Sequence, residues 1–221
     1  MDTHVAVLGA TGRVGTLVVR QALDRGWSAT ALVRDPARLA ADLRGRSGLR
    51  IVTGSIDDPA AMREVMSPAP AAVIVAVGVR YRRRHPWSGI EGRPDVAPAA
   101  VRTALAAAPA GTRFVLLSAF GVGDSWRRLP APVRAVLATS SLRVAYRELA
   151  VAERLVAAAT PPGVVVRAVT LTDGPATGRA DATGRPLRGN PKVSRADVAG
   201  LLLDTAAGRD VRGGRVLVAA G

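Results

Sequence analysis

The sequence predicts an α/β protein whose single parallel sheet is doubly wound, with helices on both of its faces. Apolar segments of strand length alternate with helical segments, and the first of them runs into the glycine motif Gly9-x-x-Gly12-x-x-Gly15. No linker divides the 221 residues. Strands separated by helices are joined by right-handed crossovers and therefore pair in parallel. One domain over residues 1–221 is expected, because this length is sufficient for one sizeable core.

The first strand and the turn that follows it carry the most specific signal. His4–Leu8 holds four apolar residues out of five, and a helix is predicted over Val14–Leu23. In a dinucleotide-binding turn, Gly9 would permit the tight turn and Gly12 would let backbone amides approach a pyrophosphate. Gly15 would let the helix pack on the strand, so that its positive end faces the anion. The alternative, a glycine-rich turn without a ligand, is disfavoured by the strand–turn–helix context.

The end of the second predicted strand, Ser28–Val33, distinguishes between two cofactors. An NAD site usually places a carboxylate there for the ribose 2′-hydroxyl, whereas this chain places Arg34, with Arg38 one helical turn further on. Guanidinium groups suit a phosphate, so NADP(H) is favoured over NAD(H). Two alternatives stay open: the Asp35 carboxylate reaches a ribose, or both arginines are only solvated charges at the start of a helix.

The remaining elements alternate in the same way. Further strands are predicted where short apolar runs end at turn residues, namely over residues 49–53, 71–77, 113–117, 164–169 and 215–219. Further helices are predicted over residues 59–66, 96–108, about 141–160 and 195–205. Asp58 and Ser194 are the expected N-caps of the first and last of these helices.

Three long loops follow predicted strands, on the side where doubly wound sheets bind their ligands. They cover residues 78–93, 118–132 and 170–193, and we predict that they meet the substrate, because long loops in compact domains are usually functional or disordered. Trp87, Phe120 and Trp126 lie in these loops, where an aromatic plane suits a flat substrate. Ordinary anchoring of the loops is the alternative for these side chains.

The residues that the chain lacks exclude several kinds of site. It has no cysteine, which excludes disulfides, thiolate metal sites and cysteine nucleophiles. His4 and His85 are too few for a histidine-rich metal site, so no metal is predicted. The chain has neither a signal-peptide pattern nor an apolar run of membrane-spanning length, so a cytoplasmic protein without a membrane partner is expected. The oligomeric state stays open.

The net charge of +14 makes a polyanionic partner a candidate. The excess is nearly all arginine, with Lys192 as the single lysine, and the arginines are scattered along the whole chain. The densest cluster, Arg80–His85, lies in a predicted loop, and no recognised nucleic-acid module accompanies it. No specific nucleic-acid partner is therefore predicted, and a basic loop beside a phosphate-bearing cofactor accounts for the cluster.

Four motifs together resemble a known group of enzymes. They are Gly9-Ala10-Thr11-Gly12-x-x-Gly15, Leu32-Val33-Arg34-Asp35-x-x-Arg38-Leu39, Val73–Gly78 and Leu117-Ser118-Ala119-Phe120. In order and spacing they resemble the atypical short-chain dehydrogenase/reductase group with its Rossmann-type fold. The likeness extends over about residues 4–206 and is closest to NADPH-dependent flavin reductase (biliverdin reductase B) and NmrA-like proteins.

The resemblance implies a cofactor site and a class of substrate. Gly9, Thr11, Gly12 and Gly15 would hold the pyrophosphate, and Thr11, Arg34 and Arg38 would take the 2′-phosphate. Gly78 would lie against the dinucleotide, and Ser118 beside the nicotinamide. The predicted cofactor-binding set is completed by the neighbours Ala10, Arg13, Val14 and Val77. Substrates of this group are small, flat and conjugated, such as flavins and tetrapyrroles.

Candidates for catalysis are few. Ordinary short-chain dehydrogenases use a Tyr-x-x-x-Lys pair, but this chain has Tyr146-x-x-x-Ala150, so Tyr146 is more readily a helix side chain than a proton donor. Ser118 is the leading polar candidate, and His85 in the basic loop is a weaker candidate for a proton donor. The prolines that follow the sixth strand in relatives are missing from Arg167–Leu171.

Three functions follow from these observations. The first is an NADPH-dependent reductase that passes a hydride to a flat conjugated acceptor such as a flavin, a quinone or an enone-type carbonyl. The second is a non-catalytic NADP-binding redox sensor of the NmrA type, which the missing Tyr–Lys pair keeps open. The third is association with nucleic acid through the arginine excess, which would be nonspecific and sensitive to salt.

Overall fold

A computed structural model describes residues 3–83, 85–178, 180, 191–209 and 215–218. The strands are β1 (His4–Leu8), β2 (Ser28–Val33), β3 (Leu49–Thr53), β4 (Ala72–Val75), β5 (Arg80–Tyr81), β6 (Ile90–Glu91), β7 (Arg113–Ala119), β8 (Val164–Ala168), β9 (Thr170–Thr172), β10 (Lys192–Ser194) and β11 (Arg215–Val218). The α-helices are α1 (Arg13–Asp24), α2 (Pro59–Val65), α3 (Val96–Ala107), α4 (Ala131–Thr139), α5 (Leu142–Ala157) and α6 (Arg195–Ala206). Short 3₁₀ turns cover Pro36–Arg38, Ala41–Leu43 and Gly123–Arg128.

Seven strands form the central sheet in the order β11-β8-β7-β4-β1-β2-β3. All six pairings within it are parallel, with Val5 opposite Ala29 of β2 and Ala72 of β4 in the middle of the sheet. The predicted doubly wound α/β fold is confirmed. The chain runs outward from β1 to β3, then crosses to β4 on the other side of β1, so the strand order reverses between β1 and β4.

Two apolar layers cover the sheet, and alternate residues of each inner strand feed one layer or the other. Val5 and Val7 of β1 pack with α1 and α6, whereas Ala6 and Leu8 pack with α2, α3 and α5. Ala and Val supply most of both layers. Within the described residues, no helix is long and apolar enough to cross a membrane.

The caps agree with the sequence prediction. The Asp58 carboxylate accepts hydrogen bonds from the amides of Ala60 (2.8 Å) and Ala61 (3.3 Å) at the start of α2. The Ser194 hydroxyl accepts a hydrogen bond from the amide of Asp197 at 2.9 Å at the start of α6. Each cap satisfies amides that have no acceptor within their own helix.

The predicted loops contain structure that the sequence pattern did not indicate. In 78–93, β5 and β6 form a short antiparallel pair. In 118–132 and just beyond it lie a 3₁₀ turn and α4, a helix of which only Leu137 is buried, so it has little apolar periodicity to detect. In 170–193, β9 pairs with β10 in parallel, while residues 179 and 181–190 lie outside the described residues. The strand predicted over 71–77 ends at Val75.

Candidate cofactor and substrate site

The glycine turn lies at the point where the strand order reverses, which is where doubly wound sheets bind dinucleotides. Gly9 has φ +99°, a left-handed conformation that side chains rarely adopt, and a Cβ there would lie 2.5 Å from the carbonyl oxygen of Ala76. A Cβ on Gly15 would lie 2.7 Å from the carbonyl carbon of Gly9 and closer still to its oxygen. Both positions therefore require glycine, because α1, β1 and the end of β4 meet there.

The amino end of α1 is open to an anion. Gly12 is its N-cap residue, its amide donates to the Gly9 carbonyl at 2.9 Å, and no side chain of the described residues caps the helix. The first turn holds no acidic residue. The amides of Arg13, Val14 and Gly15 have no acceptor within the helix, so they and the helix dipole favour a negative group there.

Two further residues of the turn have distinct environments. Ala10 is fully buried beneath the turn, and its carbonyl accepts a hydrogen bond from the Thr16 hydroxyl at 2.9 Å. Thr11 is exposed beside the amino end of α1. Arg13 is also exposed, and its guanidinium pairs with Asp173, which in turn pairs with Arg195 at 2.7 Å.

Two arginines follow β2. Arg34 and Arg38 are exposed, and among the described residues neither guanidinium is paired with a carboxylate. The Asp35 carboxylate accepts a hydrogen bond from the Ala37 amide at 2.9 Å and thereby caps a 3₁₀ turn. The turn is a single 3₁₀ turn and not the first turn of an α-helix, so the expected spacing of one α-helical turn between the two arginines is wrong. The end of β2 nevertheless presents positive charge.

Glu148 of α5 holds the segment that follows β4, and sequence reasoning missed it. The residue is 4% exposed, and its carboxylate accepts hydrogen bonds from the amide of Val79 at 2.8 Å and from that of Ala97 at 3.1 Å. Burial raises the pKa of this carboxyl above its usual range, although the backbone amides oppose the shift. A signal was present, because Glu148, Ala152 and Val156 recur every four residues on the buried face of α5.

Ser118 lies in a buried polar network instead of facing an open cleft. Its hydroxyl donates to Glu153 of α5 at 2.6 Å. The same carboxylate accepts two hydrogen bonds from Arg167, at 2.9 and 2.6 Å, and Arg167 also pairs with Asp124 at 2.6 Å. Burial alone would lower the pKa of Arg167, but these acidic partners outweigh it and raise the pKa. The geometry gives Ser118 a structural partner and does not support a hydrogen bond to a nicotinamide.

Tyr146 anchors the segment that follows β7. Its hydroxyl donates to the Phe120 carbonyl at 3.1 Å, and its ring meets the ring of Trp126 edge to face, with centroids 6.5 Å apart. Burial raises the pKa of this phenol. Phe120 itself is only 9% exposed, and its ring packs in the core under the guanidinium of Arg128, so its predicted role in contacting the substrate from a loop is wrong.

Two cavities lie beside α5. One of about 370 Å³ abuts the carboxyl end of β7, and its lining includes Val122, Trp126, Leu137, Arg143, Tyr146 and Arg147. The other, of about 480 Å³, is lined by Tyr81, Arg82, Arg83, His85, Pro86 and Leu142. Trp126 faces the first cavity, whereas Trp87 is 53% exposed and its ring lies obliquely against that of His85, with centroids 5.3 Å apart.

Comparison with known proteins identifies the family. A model of the NAD(P)H-binding family matches residues 9–208, nearly the whole chain. The chain belongs to the NAD(P)H-binding family. The resemblance to atypical short-chain dehydrogenases, based on the sequence motifs, is confirmed at this level.

Solved structures of other proteins have the same fold as this NAD(P)H-binding chain. One is ChuY, an anaerobilin reductase from Escherichia coli O157:H7, with a TM-score of 0.75 and 22% identity, covering 98% of this chain and 96% of that one. Another is a short-chain dehydrogenase/reductase from Veillonella parvula in complex with NADP, with a TM-score of 0.75 and 14% identity, covering 99% and 94%. These likenesses show that the chain shares the fold of both proteins.

A curated relative covers much less of the chain. An uncharacterised chloroplastic protein of Arabidopsis thaliana is 36% identical over 77 residues, which are 34% of this chain and 28% of that protein. The chain therefore matches well under two thirds of this relative's length.

The residues of this NAD(P)H-binding chain fit a dinucleotide on structural grounds. Gly9 and Gly15 let the turn, the end of β4 and α1 pack closely, since a Cβ at either position would meet neighbouring backbone atoms. The uncapped amino end of α1 suits a pyrophosphate, and Arg34 and Arg38 suit a phosphate further along.

Replacing Glu148 by Gln tests the importance of the segment after β4. An NH₂ group would then face one of two amides that now donate to carboxylate oxygens, which leaves a buried donor unpaired at a cost of about 1–3 kcal/mol. We expect a fall of that size in the free energy of unfolding and weaker NADPH binding, because Val79 is released. Urea denaturation and a fluorescence titration measure the two effects. Glu91→Gln, at an exposed position, is the matched control, and equal behaviour of the two variants would contradict the assignment.

Proposed function

We propose that the protein is an NADPH-dependent oxidoreductase that passes a hydride to a flat conjugated acceptor. The observation that carries the proposal is the glycine-requiring turn at the uncapped amino end of α1, at the point where the strand order reverses. Membership of the NAD(P)H-binding family supports it, as does the reductase named among the structural neighbours.

The preference for NADPH over NADH rests on the end of β2. Arg34 and Arg38 supply two cations there, and one oxygen of the nearby Asp35 carboxylate accepts a hydrogen bond from the amide of Ala37. A 2′-phosphate would therefore meet positive charge, whereas the 2′-hydroxyl of NADH would gain little from two guanidinium groups.

The cavity beside Trp126 is the proposed acceptor site. Its volume of about 370 Å³ lies within the usual range for small-molecule sites, and it abuts the carboxyl end of β7, on the cofactor side of the sheet. Trp126 offers an aromatic face for a flat ring, Val122 and Leu137 make the lining apolar, and Arg143 and Arg147 add positive charge.

The protein's contribution to such a reaction is mainly positioning. Bound NADPH would supply the hydride, and a proton would join the acceptor for each hydride transferred. Glu148 holds the segment after β4, and Tyr146 holds the segment after β7, so both walls of the site are fixed by side chains of α5. Holding two reactants in contact in this way accelerates a reaction that needs little acid assistance.

A second candidate function is that of a non-catalytic NADP-binding sensor. It is favoured because the hydroxyls of two predicted catalytic residues already donate hydrogen bonds within the protein. The Ser118 hydroxyl donates to the Glu153 carboxylate, and the Tyr146 hydroxyl donates to the Phe120 carbonyl. The two candidates differ in turnover but not in cofactor binding.

The test measures NADPH and NADH oxidation by the purified protein with FMN or menadione as acceptor, beside binding titrations of both cofactors. The reductase proposal requires turnover that depends on the acceptor and prefers NADPH. Tight NADPH binding without turnover would favour the sensor, and failure to bind either cofactor would overturn both.

Replacing both Arg34 and Arg38 by Ala tests the phosphate site. Each hydrogen bond to a charged partner is worth about 1.5–3 kcal/mol, less where solvent screens it, so NADPH binding should weaken by about 10- to 100-fold. NADH binding should change little, because the missing charges face only the 2′-position. Arg63→Ala/Arg154→Ala, which removes two exposed arginines elsewhere, controls for net charge. An equal loss for both cofactors would place the phosphate site elsewhere.

A further inference from the structure

The wall that α5 contributes to the cavity beside Trp126 carries two arginines. Four residues of α5 line this cavity, namely Arg143, Tyr146, Arg147 and Ala150. Residues three and four positions apart share one face of a helix, so these side chains form a single stripe. A helix stripe that packs against an apolar region is ordinarily apolar, whereas half of this one is positively charged. The two guanidinium groups therefore need an explanation.

The protein supplies no partner for either guanidinium group. Among the described residues, the side chains of Arg143 and Arg147 form no ion pair and no hydrogen bond. The acidic residues of α5, Glu148 and Glu153, are buried and already accept hydrogen bonds from other groups. Asp124, in the 3₁₀ turn that also lines the cavity, is already engaged in an ion pair. Both positive charges are therefore available to a ligand.

Both arginines lie where the helix itself disfavours them. Arg143 and Arg147 are one turn apart, and like charges at this spacing repel each other. Arg143 also lies in the first turn of α5, two residues after the N-cap residue Ser141, where the helix dipole opposes a cation. A bound anion would relieve both costs. Cβ atoms at this spacing are only about 5–6 Å apart, so both side chains can reach one phosphate or carboxylate group.

The cavity is apolar inside and charged at its mouth. Val122 and Leu137 are only 1% and 6% exposed, and Trp126 is partly buried. Both arginines of the lining, in contrast, are exposed. A ligand that matches this arrangement has a flat apolar body, which packs beside Trp126, and an anionic group, which stays at the mouth. Residues 121–147, which supply most of the lining, hold five arginines and a single acidic residue, so their charge also favours an anion.

We propose that the acceptor is a flat conjugated molecule that carries a phosphate or carboxylate group, and that Arg143 and Arg147 select it by binding that group. The inference rests on the proposed reductase function and narrows its class of substrate. The two arginines determine specificity and are not catalytic, because they hold the anionic group and not the ring that receives the hydride. Their contribution should therefore appear in KM and leave kcat nearly unchanged.

The test compares FMN with riboflavin, which has the same ring but no phosphate. For the wild-type protein we expect kcat/KM with FMN to exceed that with riboflavin by about 10- to 100-fold, since charge-assisted hydrogen bonds at an exposed site are strong but partly screened. In Arg143→Gln/Arg147→Gln this ratio should fall to about 1–3, through a higher KM for FMN alone. Its kcat, its KM for riboflavin and its NADPH affinity should match those of the wild type.

Two further variants control for net charge and for folding. Arg63→Gln/Arg154→Gln removes two exposed arginines of other surfaces and should keep the preference for FMN. Arg143→Lys/Arg147→Lys keeps both charges and should retain part of it. The Gln pair should leave Tm unchanged or slightly raised, because it removes a like-charge repulsion. A structural role for the arginines would instead lower Tm and weaken the reduction of both flavins.

A carboxylate arm distinguishes the two anions. Lumiflavin and its carboxymethyl analogue share the ring of FMN, and only the analogue carries a carboxylate. Preference for FMN alone would identify the phosphate as the group selected, and preference for both anionic flavins would include the carboxylate. Either result supports the inference, whereas preference for neither anionic flavin overturns it.

The neutral quinone menadione separates failure of the inference from failure of the proposed function. If the protein reduces menadione but does not distinguish FMN from riboflavin, or if Arg143→Gln/Arg147→Gln keeps the preference, the inference is overturned while the reductase proposal stands. A loss of NADPH affinity in that variant would assign the two arginines to the cofactor and also overturn it. If no acceptor is reduced, quenching of flavin fluorescence by the NADP⁺ complex still compares FMN with riboflavin, and equal or absent binding overturns the inference together with the proposed function.

Discussion

Replacing Glu153 by Ala is expected to lower the free energy of unfolding by about 3–5 kcal/mol, because it leaves a buried guanidinium with only the exposed carboxylate of Asp124 as an acidic partner. The side chains of Glu153 and Arg167 are 5% and 3% exposed, and two hydrogen bonds join them. The Ser118 hydroxyl loses its acceptor in the same variant. Since domains of this kind are stable by about 5–15 kcal/mol, a large part of the total would be lost.

Chemical denaturation measures this loss, with Glu64→Ala as the matched control. Glu64 pairs with Arg50 at 2.9 Å, but both side chains are substantially exposed, so its removal should cost less than about 1 kcal/mol. Glu153→Leu combined with Arg167→Met should recover much of the stability, because apolar residues of similar size avoid the unpaired charge. Equal losses for Glu153→Ala and Glu64→Ala would mean that the buried pair is not formed.

The strands of the central sheet were predictable because each is a short apolar run that ends at a residue unable to continue it. β1 ends at Leu8 because Gly9 turns the chain, and β2 ends where Arg34 reaches solvent. The interior of a parallel sheet is buried on both faces, so its strands are conspicuous in sequence. The β5–β6 pair and α4 bury little, and their residues therefore carry no comparable pattern.

The parts of the candidate site that depend on backbone conformation were predictable from the sequence. The parts that depend on the direction of side chains were not. Gly9 and Gly15 follow from spacing, because a turn between a strand and a helix has few solutions. The partner of Ser118 does not follow from spacing, since Glu153 meets it only after α5 packs on the sheet. Arg167, in an otherwise apolar strand, was the available signal that a buried acid must lie opposite.

Replacing Gly15 by Ala should abolish tight NADPH binding while leaving the chain folded. The added Cβ would lie 2.7 Å from the carbonyl carbon of Gly9 and 3.1 Å from the Cα of Ala10, and these backbone atoms cannot move aside as a flexible side chain can. The amino end of α1 must shift away from the turn. If two amide hydrogen bonds to the pyrophosphate are lost, at about 1.5–3 kcal/mol each, affinity falls by about 100-fold or more.

A second helical glycine provides a matched control for this prediction. Gly200 lies in α6, and a Cβ there would make only ordinary contacts, 3.4 Å from the Gln21 side chain and 3.7 Å from that of Arg25. Helix propensity alone favours Ala over Gly at both positions by about 1 kcal/mol, so Gly200→Ala should be neutral or stabilising and should bind NADPH normally. Gly15→Ala should instead lose about 1–3 kcal/mol of stability through overpacking. The two substitutions are chemically identical, so opposite outcomes in denaturation and NADPH titration would place the pyrophosphate at the amino end of α1. If Gly15→Ala bound NADPH within threefold of wild type, the pyrophosphate would lie elsewhere.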